Sequence, residues 1–131
     1  MLETKKLSTP QEGFIPITRD VQSCITREGI QEGYCIVFCP HTTAGLTINE
    51  NSDPDVVHDL LLGLQTAFGE DRRFRHAEGN STAHLKASAM GSSVMVPIQG
   101  GKLILGIWQD IYFCEFDGPR LRTYHIQVIA T

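Results

Sequence analysis

The chain has 131 residues, 41% hydrophobic and 20% charged, enough for one domain that buries a core without a metal or disulfide staple. A net charge of −4 and the absence of any Lys/Arg run exclude nucleic acid or an anionic membrane as the main partner. No apolar stretch follows Met1-Leu2-Glu3-Thr4-Lys5-Lys6 and no segment approaches transmembrane length, so a cytoplasmic protein is the default expectation.

The elements follow in order. Leu2 to Leu7 alternates weakly and predicts a first strand. Gly13-Phe14-Ile15-Pro16-Ile17 leads to Thr18, a suitable N-cap, and Val21, Cys24, Ile25 and Glu28 fall at helical spacing before Gly29 stops the helix. Tyr34-Cys35-Ile36-Val37-Phe38-Cys39 is apolar on both alternating faces, the pattern of a central strand covered on both sides. Pro40 ends it, and Leu46-Thr47-Ile48-Asn49 alternates as the next strand. Asp53-Pro54-Asp55 then starts a helix with a cap, a first-turn proline and a dipole-matched acid; its stripe runs from Val56 to Phe68, with Gly69 as the stop.

Glu70 to Arg75 is a solvated connection of mixed charge. Ser81 to Met90 predicts a short helix ended by Gly91. Ser93 to Gln99 and Lys102 to Gly106 pair as a hairpin about Gly100-Gly101, Trp108 to Phe116 continues in β register, and Leu121 to Ala130 forms the last strand after a turn at Asp117-Gly118-Pro119-Arg120. No repeat or linker divides residues 1–131. The expected fold is therefore α+β, an antiparallel β-sandwich or sheet with two to three helices in a single domain.

The four cysteines, Cys24, Cys35, Cys39 and Cys114, include no C-x-x-C pair and read as buried free thiols. The chemistry lies elsewhere. His41, His76 and His84 sit outside the apolar stripes, and three imidazoles brought together hold a zinc-type metal with a fourth position open. The alternative is three surface histidines that never meet. His58 reads as solvent-facing and His125 as structural or outward-facing. Glu50 suits a metal ligand, an orienter of histidine or a general base, and equally a helix-flanking acid.

Glu78 and Asn80 flank Gly79, whose freedom at positive φ suits a loop brought close to something. Asn80 and Ser81 stand where a helix N-cap belongs; if capping uses only one, the N–H groups of Ser81, Thr82 and Ala83 form an anion site for phosphate or pyrophosphate. Ser88 lies one turn beyond His84 on the same helix face. Gly106 ahead of Trp108 and Gln109 predicts a pocket wall.

These motifs carry a resemblance. His41-Thr42-Thr43-Ala44-Gly45-Leu46-Thr47-Ile48-Asn49-Glu50-Asn51, His76-Ala77-Glu78-Gly79-Asn80 with His84-Leu85-Lys86-Ala87-Ser88, and Ser93 through Gly106-Ile107-Trp108-Gln109 closely resemble the YjbQ family, named for secondary thiamine-phosphate synthase activity. Ile107 departs from the threonine usual in that family, removing a hydroxyl. The resemblance implies an α+β fold with an antiparallel β-sandwich, a homotrimer, and a metal-associated pocket lined by His41, His76 and His84. It also implies the joining of an aminopyrimidine pyrophosphate to a thiazole phosphate, an activity generally regarded as secondary.

On that reading His41, Glu50, His76, Glu78 and His84 do the chemistry. Thr42, Asn80, Ser81, Lys86, Ser88, Trp108 and Gln109 hold the phosphorylated substrate, with Lys86 receiving pyrophosphate and Trp108 stacking on a ring. The cofactor is a divalent metal, zinc-type from its imidazoles, or Mg²⁺ with a pyrophosphate substrate. The alternatives are a metal-dependent hydrolase of a small phosphorylated molecule, with Glu50 or Glu78 as base, and a trimeric binding protein without turnover.

Overall fold

A computed structural model describes residues 2–131 of the protein. Eight strands and three helices run in the order β1 (Leu2–Ser8), β2 (Gly13–Pro16), α1 (Thr18–Glu28), β3 (Glu32–Phe38), β4 (Ala44–Glu50), α2 (Pro54–Ala67), α3 (Ser81–Met90), β5 (Ser93–Gln99), β6 (Lys102–Leu103), β7 (Gln109–Glu115) and β8 (Leu121–Ala130). The strands form a five-stranded sheet, β1-β8-β3-β5-β6, and a three-stranded sheet, β2-β7-β4, with every pair antiparallel. The α+β sandwich expected from the sequence is the fold observed.

The sandwich is layered. Cys35, Val37, Val96, Ile98, Tyr124, Ile126 and Val128 on the inner side of the larger sheet meet Leu46, Ile111 and Phe113 of the smaller one, and α1 adds Val21, Cys24 and Ile25 to this core. A second apolar cluster lies on the smaller sheet's other side: Phe14, Tyr112, Cys114 and Phe116 pack under Ala83 and Ala87 of α3, with Val57, Leu60, Leu61 and Leu64 of α2 alongside. The smaller sheet is thus covered on both faces, which matches the unbroken buried run from Ile111 to Phe116.

Local chemistry explains most boundaries. Asp53 caps α2 by accepting from the Asp55 N–H at 2.9 Å, with Pro54 as the first helical residue, and Gly29 closes α1 in the left-handed region at φ 70°. Thr18 is not a cap. Ile17 takes that place, and the Thr18 hydroxyl instead accepts the Ile111 N–H at 2.8 Å, tying α1 to β7. Gly69 lies beyond the end of α2, whose C-cap is Phe68. The segment Gly13–Pro16 carries too little alternation to read as a strand, yet it pairs with β7 along its whole length. β6 is shorter than the predicted Lys102 to Gly106 strand: its ladder with β5 pairs only Lys102 and Leu103, and the bond from the Ile104 N–H to the Pro97 carbonyl at 2.9 Å is the last between them.

One expectation about β3 is half met. Its inner residues are buried, but the described residues provide no layer over Tyr34, Ile36 and Phe38 on the outer side. All four cysteines are buried free thiols, as the sequence predicts. Among the described residues no helix is long and apolar enough to cross a membrane.

Candidate functional site

The loop Cys39-Pro40-His41-Thr42-Thr43 joins the two sheets and rests on a buried ion pair. Glu115 is fully buried at the end of β7, and Arg122 faces it from β8 with Nε and Nη2 donating to Oε1 and Oε2 at 2.7 and 2.5 Å. The Thr9 hydroxyl and the Asp117 N–H donate to the same carboxylate at 2.5 and 3.0 Å. Arg122 Nη2 also donates to the Thr43 hydroxyl at 2.9 Å, so the guanidinium grips the histidine loop directly. Burial alone would raise the Glu115 carboxyl, but the hydrogen bonds from Arg122, Thr9 and Asp117 outweigh it and hold the group below its ordinary value. Desolvation and the Arg122 charge push the His41 imidazole below its ordinary value, which keeps it neutral at pH 7.

The position of His41 follows from Pro40. The β3–β8 ladder ends at Phe38 and His125, and the proline has no N–H with which to continue it. The imidazole takes over: Nε2 lies 3.0 Å from the Thr123 nitrogen and 3.1 Å from the Thr123 carbonyl oxygen, so it meets the backbone as acceptor in one tautomer and as donor in the other. In either tautomer Nε2 is turned to the Thr123 backbone, and only Nδ1 is left to face anything else.

His76 and His84 do meet. Their rings pack edge to face with centroids 5.2 Å apart, His84 from the first turn of α3 and His76 from the loop before it. Gly79 at φ 74° makes the bend that turns this loop into the helix. Glu78 lies beside the pair, its carboxylate 3.9 Å from His76 Nε2 and exposed. Asn80 occupies the N-cap position without capping; its Nδ2 donates to Asp117 Oδ2 at 2.8 Å, and its buried Oδ1 has no partner among the described residues. The Ala83 N–H returns to the Asn80 carbonyl at 3.1 Å, so of the three donors expected for an anion only Ser81 and Thr82 remain. Among the described residues no three His, Cys, Asp or Glu side chains lie close enough together to hold a metal ion.

The other predicted residues separate by position. The antiparallel β4–β7 ladder pairs Ala44 with Glu115 at one end and Glu50 with Gln109 at the other, six residue steps or about 20 Å apart. His41, Thr42 and Asn80, through its bond to Asp117, belong to the first end. Glu50, Trp108 and Gln109 belong to the second. There the Trp108 carbonyl accepts the Asn51 N–H at 2.9 Å, Gln109 Oε1 accepts the Gly106 N–H at 2.7 Å, and Glu50 accepts the Ser52 hydroxyl at 3.1 Å. Glu50 is therefore not beside the histidines of its own chain. Lys86 is 2% exposed and donates to Gln65 at 2.7 Å and Glu12 at 3.3 Å, a strut between α3, α2 and the β1–β2 loop rather than a surface cation. Ser88 is exposed on α3.

Sequence reasoning passed over Glu115 and Arg122, which shape the His41 loop more than any predicted residue. Their signal was parity. Arg122 alternates with Tyr124, Ile126 and Val128 on the buried side of the last strand, and Glu115 extends the apolar run Ile111-Tyr112-Phe113-Cys114. Charges at buried positions in two strands consecutive in the chain, which here lie in opposite sheets, call for each other.

The family model described as UPF0047 protein YjbQ-like matches residues 3–131. The chain belongs to the YjbQ/UPF0047 family. The UPF0047 protein YugU of Bacillus subtilis is 47% identical over 132 aligned residues, spanning 99% of this chain and 100% of its own. A UPF0047 protein of Methanocaldococcus jannaschii is 44% identical over 120 residues, covering 92% of this chain and 87% of its own. Among solved structures, an uncharacterized conserved YjbQ/UPF0047 protein from Clostridium acetobutylicum superposes with a TM-score of 0.94 at 50% identity, over 97% of this chain and 99% of that one. A YjbQ/UPF0047 relationship thus extends across the whole sandwich, both ends of the β4–β7 ladder included.

Proposed function

We propose that the amino end of α3, with His76 and His84, binds the anionic part of a small phosphorylated metabolite. We propose further that thiamine-phosphate synthesis takes place there as a secondary activity. The observation that carries this is the meeting of two imidazoles at a helix N-terminus whose Ser81 and Thr82 N–H groups have no backbone acceptor among the described residues, beside a buried Asn80 oxygen that has no partner among them either. Oriented N–H donors at the positive end of a helix dipole favour phosphate oxygens, and each imidazole adds an N–H.

In the reaction implied by the resemblance, the bond between the pyrimidine's methylene carbon and the pyrophosphate oxygen breaks, its electron pair leaving with pyrophosphate. The thiazole nitrogen's lone pair forms the new carbon–nitrogen bond. The demand on the protein is to stabilise the departing anion and hold the two rings together. Ser81, Thr82, His76 and His84 answer the first demand. Trp108, about 20 Å along the ladder from the His41 end, does not answer the second within one chain.

A divalent metal would add charge neutralisation at the same place. Among the described residues the donor set does not complete its shell: His76 and His84 give two imidazoles, and no third His, Cys, Asp or Glu side chain lies close enough to join them. No step of the reaction is therefore assigned to an ion. Assembly as a homotrimer, also implied by the resemblance, belongs to this proposal.

The second reading, a binding protein without turnover, draws support from the same geometry, because Glu50 stands away from the histidines and Lys86 is turned inward. The two separate by assay. Purified protein given both phosphorylated substrates, alone and with a series of divalent ions, is expected to form thiamine phosphate slowly, with at least a tenfold loss in His76→Ala and His84→Ala. No product under any of these conditions overturns synthesis. Titration calorimetry with pyrophosphate then decides the binding reading, which fails if His84→Ala binds as tightly as the wild type.

A further inference from the structure

A groove runs along α1 on the side away from the core. Val21, Cys24 and Ile25 turn inward. Arg19, Gln22, Ser23 and Thr26, at i, i+3, i+4 and i+7, form a polar wall on another face of the helix. Leu103, Leu105, Gln109 and Asp110, on the chain from β6 to β7, line the groove's other side, and its volume is about 1050 Å³. A smaller recess of about 420 Å³ continues it at Gly100 and Gly101, sharing Gln22, Thr26 and Leu103. The larger space is ample for a small organic molecule, whose sites run from ~300 to ~1,000 Å³.

Hydrogen bonds hold the walls in place. Gln22 Oε1 accepts the Leu103 N–H at 3.0 Å and its Nε2 donates to the Gly101 carbonyl at 2.9 Å, so one side-chain amide pins the hairpin to the helix. The Ile111 N–H donates to Thr18 Oγ1 at 2.8 Å and to Asp110 Oδ1 at 3.1 Å, which brings Arg19 and Asp110 to the same end of the groove. The acids there are engaged: Asn51 Nδ2 donates to Asp110 Oδ2 at 2.6 Å, and the Tyr124 hydroxyl to Asp20 Oδ2 at 3.1 Å. Arg27 is taken by Glu3. Arg19 is different. Its guanidinium has no hydrogen-bond or ion-pair partner among the described residues, although Asp20 and Asp110 line the same cavity. The Ser23 hydroxyl and Gln109 Nε2 are likewise without partners among them.

We propose that this groove binds a small organic monocarboxylate that also carries a hydroxyl or amide group and a short aliphatic part. The planar guanidinium of Arg19 offers two parallel N–H donors to a carboxylate. Ser23, one turn along α1 from Arg19, and Gln109 supply donors for the hydroxyl or amide oxygen, and Leu103 and Leu105 receive the aliphatic part. A phosphate group fits less well, since its second negative charge would face Asp20 and Asp110 across the same space. The groove lies at the Glu50–Gln109 end of the β4–β7 ladder, about 20 Å from the Ala44–Glu115 end. The proposal therefore stands or falls apart from thiamine-phosphate synthesis.

Amide chemical-shift titration of the full chain with N-acetyl-L-leucine tests this. The probe carries one carboxylate, one amide and an aliphatic side chain. Shifts are expected to gather on residues 19–26 and 103–110, with a dissociation constant on the order of 1 mM. N-acetyl-L-leucinamide, which lacks the carboxylate, should bind about tenfold more weakly, and so should the acid to Arg19→Gln, a change at an exposed helix position. Inorganic phosphate should bind more weakly than the acid. No shifts up to about 20 mM probe, or shifts confined to other parts of the chain, overturn the site. Full affinity in Arg19→Gln, or for the leucinamide, overturns the seating of a carboxylate on Arg19. Phosphate binding as tightly as the acid overturns the monocarboxylate class.

Discussion

The two ends of the β4–β7 ladder are built on opposite plans. At the Ala44–Glu115 end a carboxylate and a guanidinium are buried among strands, each hydrogen-bonded several times over. At the Glu50–Gln109 end the chain turns through Gly106-Ile107-Trp108 and leaves Ile107 93% and Trp108 63% exposed. Charges lie inside at one end and large apolar side chains outside at the other. The first end fixes a loop: Arg122 holds Thr43 and thereby the backbone that carries His41. The second holds its shape by short hydrogen bonds about Gly106 and Gln109, with no apolar contact over its tip.

The largest effect comes from breaking the charged end. Glu115→Ala leaves the Arg122 charge without its carboxylate in the core, and a loss of about 3–5 kcal/mol of folding stability is expected by denaturant titration. A loss under about 1 kcal/mol would mean that the pair is dispensable to the sandwich. The same carboxylate sets a pH dependence. Because its folded value is depressed, its contribution is complete above its ordinary value of 4.5 and drains away as pH falls through the folded value. Glu115→Gln should therefore flatten the acid limb of the stability profile below about pH 4.5 relative to wild type; an identical acid limb counts against the assignment.

Next comes the seat of β4 against the end of α3. A Cβ on Gly45 would stand 2.7 Å from the Gly91 carbonyl oxygen, and this neighbour is backbone. Gly45→Ala should cost about 1–3 kcal/mol through overpacking, read as a lowered denaturation midpoint with an unchanged slope. Lys86→Met removes a buried cation whose partners, Gln65 and Glu12, both lie at exposed positions where water takes its place. Its cost should be smaller, about 1 kcal/mol. Smallest of all is the apolar end: Ile107→Ala should change the stability of the isolated chain by under about 0.5 kcal/mol. A larger, concentration-dependent change would show that the tip is covered in solution.

Much of this was open to reading from residues alone. The caps at Asp53 and Gly29 were legible because each depends on one side chain acting within its own turn. So were the strands of strong alternation and the hairpin at Gly100-Gly101. The pairing of His76 with His84 was legible too, since one short loop joins them. The separation of Glu50, Trp108 and Gln109 from the histidines was not, for motif order in the sequence carries no distance along a sheet. Lys86 misled because a lysine near a glycine-marked loop resembles a phosphate contact. Its burial depends on where α2 and the Glu12 loop pack against α3.

The sequence by itself determined the elements, the sandwich class, the free buried cysteines and an outer β3 surface that is apolar by composition. These rest on local conformational preference and on hydrophobic periodicity, both written in neighbouring residues. Only the tertiary structure decided that Glu115 and Arg122 meet beneath Thr43, that His41 Nε2 turns to the Thr123 backbone, and that no described residue covers Met95. Each of those depends on strand order and register, which bring together residues up to 82 positions apart, and periodicity does not encode which strand lies beside which.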